Sequence, residues 1–216
     1  MAIKGAIFDM DGTLTDSMHL WIEIGRRYME SLGYDVTPEQ TQAMSRMLLE
    51  EMSGYIRTEF GLQKPPEQII AEINGMVEEG YLYEVPVKPT VLEFLQKLQD
   101  RGVPMCVATA TDRYLTEACL KRNGLDGFFS AVFTCTEEHC TKRTSDIYDR
   151  AREFLGTAPE ETWIFEDTYV SLQGAVQSGC KVMAIHDRWS EKRTAQIKEL
   201  ADRYAETMGD IDPDLL

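Results

Sequence analysis

The alternation of short apolar segments with helical patterns over residues 87–216 constrains the fold most strongly. Apolar residues at every third or fourth position predict helices, and short continuous apolar runs predict buried strands. The predicted strands of this part are 103–108, 131–134, 162–165 and 181–185. A final helix is predicted to run to about Tyr204. Because parallel strands need a crossover connection, the repeated strand–helix–strand units predict a doubly wound parallel sheet with helices on both faces.

One more apolar run, at residues 3–8, is followed directly by two aspartates and a glycine. If the backbone stays extended, residues two apart point to the same side, so Asp9 and Asp11 share one face. Gly12 can adopt a backbone angle that larger residues resist, so the chain can turn out of the sheet there. Two adjacent carboxylates repel each other, and one of them keeps a proton unless a cation lies between them. The pair therefore predicts a hard metal ion, and Mg²⁺ suits such oxygen ligands.

The spacing of the residues also bears on other interpretations of this motif and on other phosphate-binding motifs. A surface turn rich in Asp and Gly would give a similar short sequence. An EF-hand calcium loop needs a later glycine than Gly12 and a Glu where this chain has Leu20, so it is excluded. Neither Gly-x-Gly-x-x-Gly nor Gly-x-x-x-x-Gly-Lys occurs, so neither a dinucleotide-binding fingerprint nor a nucleotide P-loop is supported.

Between the first strand and the remaining ones, the sequence shows helical patterns only. The first helix of this part is predicted to end at Gly33, and Thr37 is predicted to cap a second helix. The apolar side of that second helix is predicted to comprise Met44, Met47, Leu48 and Met52. Pro65-Pro66 breaks the chain before further helical patterns. We therefore predict a small inserted α-helical cap domain, residues 17–83, and an α/β core domain, residues 1–16 and 84–216.

Charge and cysteine usage limit the partners and the compartment. The formal net charge of −15 argues against nucleic acid and anionic membranes as partners, because their phosphates would be repelled. No apolar run is long enough to span a bilayer, and the start of the chain lacks a signal-peptide pattern. The five scattered cysteines are typical of reduced thiols, so we expect a cytoplasmic protein. Cys135, His139 and Cys140 could hold zinc, but a fourth ligand is not evident.

Chemically active side chains follow several of the predicted strands. The second strand runs into Thr109, a loop after the third contains Lys142, and the fourth ends at Glu166-Asp167. In open parallel sheets, ligands bind at the carboxyl ends of the strands. Any one of these residues is commonly a helix cap or a solvated surface group. Together with the two N-terminal aspartates, they predict a single site.

These motifs carry a resemblance to a known family. The stretch from Asp9 to Ser17, Asp-Met-Asp-Gly-Thr-Leu-Thr-Asp-Ser, resembles the first motif of the haloacid dehalogenase superfamily. Thr109, Lys142 and the pair Glu166-Asp167 resemble the remaining motifs of that family, in the same order. The resemblance covers the whole core and implies a Rossmann-like α/β fold. The helical insert is similar to the small cap of the β-phosphoglucomutase-like branch, which contains many sugar-phosphate phosphatases.

The resemblance also implies a role for each motif residue. Asp9 would be the nucleophile that takes up a phosphoryl group, and Asp11 would be the general acid and base. The implied phosphate-binding residues are Thr109, Ala110 and Lys142. The implied Mg²⁺ ligands are the carboxylates of Asp9 and Asp167 and the backbone carbonyl of Asp11, with Glu166 orienting a metal-bound water or ligating directly. Arg46 matches a cap arginine by rough register, which makes it a candidate substrate contact.

By this resemblance the chain is expected to be a phosphoric monoester hydrolase, acting as a monomer or weak homo-oligomer. It would be a Mg²⁺-dependent phosphatase that hydrolyses a small phosphorylated metabolite, such as a sugar phosphate, through an aspartyl phosphate. A β-phosphoglucomutase-like phosphomutase is the alternative. Asp112 and Arg113 count against it, because they stand where the mutase has a Lys-Asn pair for a second phosphate. A non-catalytic phosphate-binding protein on the same scaffold is a remoter alternative.

Overall fold

The computed structural model describes residues 3–47 and 49–216. The chain divides into two compact units, which we call the core unit (Met1–Asp16 and Pro86–Leu216) and the helical unit (Ser17–Val85). The second boundary follows residue 85, slightly later than the boundary predicted after residue 83. Leu48, which the sequence pattern assigned to the apolar side of the second helix, lies outside the described residues.

The core unit contains a parallel sheet flanked by helices. Its strands are β1 (Gly5–Phe8), β2 (Met105–Thr109), β3 (Ala131–Thr134), β4 (Thr162–Glu166), β5 (Lys181–Ile185) and β6 (Arg203–Ala205). Their order across the sheet is β3-β2-β1-β4-β5-β6, and every neighbouring pair is parallel. The helices of the described chain are α1 (Met18–Ser31), α2 (Pro38–Met44), α3 (Leu49–Glu59), α4 (Pro66–Glu79), α5 (Val91–Asp100), α6 (Arg113–Arg122), α7 (Asp146–Leu155), α8 (Tyr169–Gln177) and α9 (Thr194–Leu200). The predicted doubly wound α/β fold is confirmed.

The predicted final helix was wrong at its end. A short 3₁₀ segment, Arg188–Arg193, leads into α9, which ends at Leu200, and residues 203–205 form β6 instead of helix. The backbone N–H of His186 donates to Ala205 O at 2.9 Å, which continues the pairing between β5 and β6. Pairing along the open edge of β5 therefore outweighs the local helical pattern.

The second strand begins later than predicted because of a proline. Pro104 has no N–H to donate to a neighbouring strand. Its carbonyl still accepts a hydrogen bond of 3.1 Å from Ala6 N, but regular pairing begins only at Met105. The strand then continues one residue beyond the predicted end, so that Thr109 is its last residue.

The first strand lies in the middle of the sheet, between β2 and β4. Its Phe8 ring stacks on the Phe165 ring of β4 at a centroid distance of 4.4 Å. Asp9 N donates to Phe165 O at 3.0 Å, so the ladder extends one residue beyond β1. Because all strands are parallel, Asp9, Thr109 and Glu166 reach the same edge of the sheet.

The described residues of the helical unit, 17–47 and 49–85, contain helices and no strand. Thr37 caps α2 as predicted, since its hydroxyl accepts from Gln40 N at 3.2 Å. The predicted second helix is two helices, α2 and α3. Arg46 N and Met47 N donate to carbonyls three residues back, at 3.3 and 3.1 Å, which tightens the chain and ends α2. Within the described part of the chain, no helix combines the length and apolar character needed to span a membrane.

Candidate active site

The chain turns sharply after β1, and this turn presents the two N-terminal aspartates. Leu14 N and Thr15 N both donate to Met10 O at 2.9 Å, and Thr15 Oγ1 donates to the same carbonyl at 3.0 Å. Met10 itself is fully buried. Gly12 has a φ of 87°, a left-handed value that a residue with a Cβ rarely adopts. The local sequence therefore fixes the turn through its own backbone.

A buried lysine joins two of the predicted acids. The Lys142 ammonium contacts Asp9 Oδ1 and donates to Glu166 Oε1 at 2.5 Å. The Tyr148 hydroxyl donates to the same Glu166 oxygen at 2.8 Å. Asp167 N donates to the other oxygen, Glu166 Oε2, at 3.2 Å. Both oxygens of Glu166 therefore accept hydrogen bonds from the protein, and Lys142 is held against Asp9.

The acids of the site are also close enough together to bind one cation. Asp9, Glu166 and Asp167 are buried, and each offers a carboxylate oxygen within 4.8 Å of the others. Thr13 Oγ1 donates to Asp167 Oδ1 at 3.3 Å. Asp167 Oδ2 is buried and has no hydrogen-bond partner among the residues that the structure describes. A buried carboxylate oxygen without a donor is costly unless a cation binds it, and hard oxygen ligands are those that Mg²⁺ prefers. The residues present therefore fit Mg²⁺.

Burial and mutual repulsion shift the pKa values of these groups. Burial, followed by the charge of Glu166, raises the pKa of Asp9 to about 8, although Lys142 opposes the shift. Burial, followed by the charges of Asp9 and Glu166, raises the pKa of Asp167 well above its ordinary value. Burial alone would lower the pKa of Lys142, but the same two charges raise it. One ammonium does not neutralise three buried acids, so the cluster favours a further positive charge.

The end of β2 lies beside the N-terminal turn. Thr109 is fully buried, and its hydroxyl accepts from Thr111 N at 3.1 Å. Thr111 Oγ1 donates to Asp11 Oδ2 at 2.7 Å. Ala110, between the two threonines, is exposed. The structure therefore brings the predicted Thr109 loop and Asp11 together through Thr111.

Thr111 and Tyr148 belong to the site, but the sequence analysis did not single them out. Thr111 could have been found, because it lies two positions after Thr109 and an extended chain would place both on one face. Tyr148 could not, because it belongs to the apolar periodicity of α7 and resembles an ordinary core residue. Its polar partner, Glu166, lies 18 positions further along the chain. Only folding brings the two together.

Arg46 and the segment from Cys135 to Cys140 were the other candidates from the sequence. Arg46 belongs to the helical unit, in the turn after α2, and is exposed; its contact with substrate stays a prediction. Cys135 and Cys140 are half-buried free thiols. Within residues 3–47 and 49–216, the acidic trio is the one cluster of three metal-ligating groups, so the zinc alternative at His139 finds no support.

Arg113, which the resemblance in sequence matches to a position of the mutase's second phosphate site, has acidic partners. Its guanidinium donates to Glu137 at distances down to 2.6 Å and to Glu117 at 3.2 Å. It also donates to Val132 O at 2.8 Å. The arginine is therefore tied to α6 and to the loop after β3.

Comparisons with known proteins agree with the geometry. The family profile described as haloacid dehalogenase-like hydrolase matches residues 6–185. The pyrophosphatase PpaX of Bacillus mycoides is 27% identical over 216 residues, covering 99% of this chain and 97% of that protein. The phosphorylated carbohydrates phosphatase of Thermotoga maritima is 23% identical over 177 residues, covering 82% of each.

Solved structures with low sequence identity share the fold. The proposed β-phosphoglucomutase of Thermotoga maritima superposes with a TM-score of 0.83 at 21% identity, covering 98% of this chain and 95% of that one. CbbY from Rhodobacter sphaeroides, solved in complex with phosphate, superposes with a TM-score of 0.77 at 19% identity, covering 99% and 100%.

Proposed function

Because the chain belongs to the haloacid dehalogenase-like hydrolase family, we propose that it is a Mg²⁺-dependent phosphatase acting on a small phosphorylated metabolite through an aspartyl phosphate on Asp9. The observation that carries the proposal is the buried set in which Lys142 bridges Asp9 and Glu166 beside Asp167. Phosphoryl transfer needs positioning and charge stabilisation more than elaborate covalent chemistry. This set provides both around one nucleophile.

The carboxylates of Asp9 and Asp167, with the backbone carbonyl of Asp11, would hold the metal. Bound there, Mg²⁺ supplies positive charge to the phosphoryl oxygens and offsets the repulsion among the acids. Glu166 suits a different task, because both its oxygens already accept hydrogen bonds within the protein. We assign it to orienting Lys142 rather than to direct ligation.

Asp9 is the nucleophile of this mechanism. Its carboxylate attacks phosphorus, a P–O bond to Asp9 forms, and the bond to the leaving oxygen breaks, which divides one difficult step into two. Lys142 fixes the carboxylate and stabilises negative charge on the transferred group. The Thr109 hydroxyl and the Ala110 backbone N–H, at the end of β2, would bind the phosphoryl oxygens.

Asp11 is the proton carrier. In the first step it gives a proton to the leaving oxygen, and in the second it takes one from the water that hydrolyses the Asp9 phosphate. The Thr111 hydroxyl donates to Asp11 Oδ2 at 2.7 Å and so orients the carboxylate. Because Asp11 would meet the metal through its backbone carbonyl, its side chain is left to move protons.

A phosphomutase is the second candidate, and it is disfavoured by Arg113. That guanidinium is paired with Glu137 and Glu117, and Asp112 precedes it with a negative charge, so this loop offers no available cation to a second phosphate. The non-catalytic alternative is disfavoured by the complete set of nucleophile, lysine and acids. The name of the Bacillus mycoides relative makes inorganic pyrophosphate a substrate to test beside sugar phosphates.

The first experiment measures inorganic phosphate released by the purified protein from a panel of phosphate esters and pyrophosphate, with Mg²⁺ and with a chelator. We expect release that requires Mg²⁺. A sugar 1-phosphate in the panel separates the two candidates, since a phosphatase releases phosphate and a mutase forms the 6-phosphate. Absence of both products across the panel would refute the proposal.

Asp9→Asn is expected to lower turnover by about a thousandfold or more, because an amide cannot accept the phosphoryl group. Steady-state phosphate release measures the effect, and thermal melting verifies that the variant folds. Asp100→Asn, an exposed aspartate at the end of α5, is the matched control and should retain full activity. Undiminished turnover by Asp9→Asn would refute the nucleophile assignment.

A further inference from the structure

Lys88, in the segment that leads into α5, forms a partly buried ion pair outside the acid cluster. Its Nζ lies 3.1 Å from Asp187 Oδ2, and the two side chains are 17% and 2% exposed. The same ammonium donates to Gly12 O at 2.6 Å and to His186 O at 2.8 Å. An ammonium has three donors, so these three acceptors use all of them. Lys88 therefore ties the N-terminal turn to the end of β5.

The backbone of the same segment also holds this turn. Lys88 N donates to Leu14 O at 2.9 Å, and Asp16 N donates to Pro86 O at 3.0 Å. Asp187 is fixed in its own place, because its Oδ1 accepts from Trp189 N at 3.0 Å. Asp187 is therefore held in place by its own backbone contact, while Lys88 binds the Gly12 carbonyl.

The Gly12 carbonyl, which Lys88 binds, lies in the chain between Asp11 and Thr13. Gly12 directly follows Asp11, and its carbonyl belongs to the peptide that joins it to Thr13. The Thr13 hydroxyl donates to Asp167 Oδ1 at 3.3 Å. Rotation of this one peptide would therefore disturb both the Asp11 carboxyl and the contact to the proposed metal ligand Asp167.

We propose that Lys88 and Asp187 are positioning residues, which lock the Gly12 carbonyl and thereby orient Asp11 and Thr13 in the site. The inference rests on the proposed function, because that function gives Asp11 and Asp167 their tasks. Lys88 and Asp187 both act through the turn.

Lys88 could act through its charge or by holding the turn, and these two roles predict opposite changes in Mg²⁺ affinity when it is removed. If Lys88 acted only through its charge, removing that charge beside an acid cluster would strengthen Mg²⁺ binding. If it acts by holding the turn, removing it loosens the proposed ligand set and weakens Mg²⁺ binding. The direction of the change in affinity therefore separates the two roles.

The test compares the full chain with Lys88→Met, Asp187→Asn and the double variant. Calorimetry gives the Mg²⁺ dissociation constant with the metal alone, and steady-state kinetics give kcat and substrate KM well below the melting temperature. We expect Mg²⁺ to bind about tenfold more weakly in each, as for other residues that support metal ligands. We expect kcat to fall about tenfold while substrate KM stays within about twofold, because binding of the ground state is spared.

Lys181→Met is the matched control. Lys181 begins β5 and pairs with Asp202 at 2.7 Å, so it forms an ion pair at the opposite end of the strand that Asp187 follows. It should leave Mg²⁺ affinity and kcat unchanged. The double variant removes both charges of the proposed pair, so its effects cannot come from an unpaired charge, and it replaces Lys88→Met if that variant fails to fold.

Mg²⁺ binding that is unchanged or tighter, together with unchanged kcat, in the folded variants would overturn the inference. A wild-type protein that releases no phosphate would refute the proposed function instead. The calorimetric comparison would still decide whether Lys88 supports the metal site.

Discussion

Glu166 and Asp167 are neighbours in sequence but have different partners in the structure. Glu166 Oε1 accepts from Lys142 and Tyr148, whereas Asp167 Oδ2 has no hydrogen-bond partner within residues 3–47 and 49–216. A buried acid with its oxygens satisfied holds other groups in place, and a buried acid with an unpaired oxygen is suited to bind a cation. At the scale of single residues, the hydrogen-bond partners therefore suit Glu166 to positioning other groups and Asp167 to binding a cation.

Tyr148→Phe tests the anchoring of Lys142 through Glu166. The change removes the hydroxyl that donates to Glu166 Oε1 and leaves the buried ring in place, so we expect kcat to fall about fivefold to tenfold with little change in substrate KM. Steady-state kinetics measure the effect. The control is Tyr114→Phe, because Tyr114 is 56% exposed. A kcat equal to that of the wild type would show that Tyr148 only fills the core.

At the scale of elements, helix α8 shows why the loop that contains Lys142 lies where it does. Gly174 is in the interior of α8, where glycine is intrinsically unfavourable. A Cβ at this position would lie 2.6 Å from Thr144 O, and closer still to Lys142 O. The helix therefore packs directly on the backbone of the lysine loop, and only glycine permits that approach.

Gly174→Ala is expected to destabilise the protein by about 2 kcal/mol or more, because the loop backbone must move to make room. Since Lys142 belongs to that loop, kcat should fall as well. Gly54→Ala is the matched control, because Gly54 is inside α3 and no atom of the described residues lies within 4 Å of the position that a Cβ would take. It should stabilise the protein by about 0.5–1 kcal/mol through helix propensity alone. Chemical denaturation of both variants measures the difference, and a Gly174→Ala variant as stable as Gly54→Ala would contradict the packing argument.

At the scale of the whole molecule, negative charge dominates. The chain carries a formal net charge of −15, yet three of the acids buried in the core unit form one cluster, which contains a single lysine. A phosphorylated substrate would be repelled by the surface as a whole. Under the proposed function, substrate binding would therefore depend on the local positive charge of Lys142 and of a bound cation.

Mg²⁺ is expected to raise the melting temperature of the protein, because a cation that binds the folded acid cluster and not the unfolded chain shifts the equilibrium toward folding. At a concentration one hundred times its dissociation constant, the stabilisation is about 2.7 kcal/mol. Thermal melts with Mg²⁺ and with a chelator measure it. Asp167→Asn should abolish the Mg²⁺-dependent shift, and its persistence in that variant would place the metal elsewhere.

Much of the fold was predictable because its signals are local. Apolar runs gave five of the strands, since the burial of a parallel strand on both faces shows directly in its sequence. The sixth, β6, is short and lies at the edge of the sheet, and its pairing with β5 left no local pattern. The break between α2 and α3 was missed for a related reason, because apolar spacing continued across a turn that only hydrogen bonding reveals.

The sequence by itself determined the alternation of five of the strands with helices, the turn at Gly12, and the residue types that reach one edge of the sheet. These follow from periodicity and backbone preference, which act over a few residues. Only the tertiary structure decided that Tyr148 contacts Glu166, that α8 packs on the Lys142 loop, and that Lys88 binds the Gly12 carbonyl and Asp187. Those contacts join positions up to 99 residues apart, and a distance between remote side chains exists only once the sheet has brought them together.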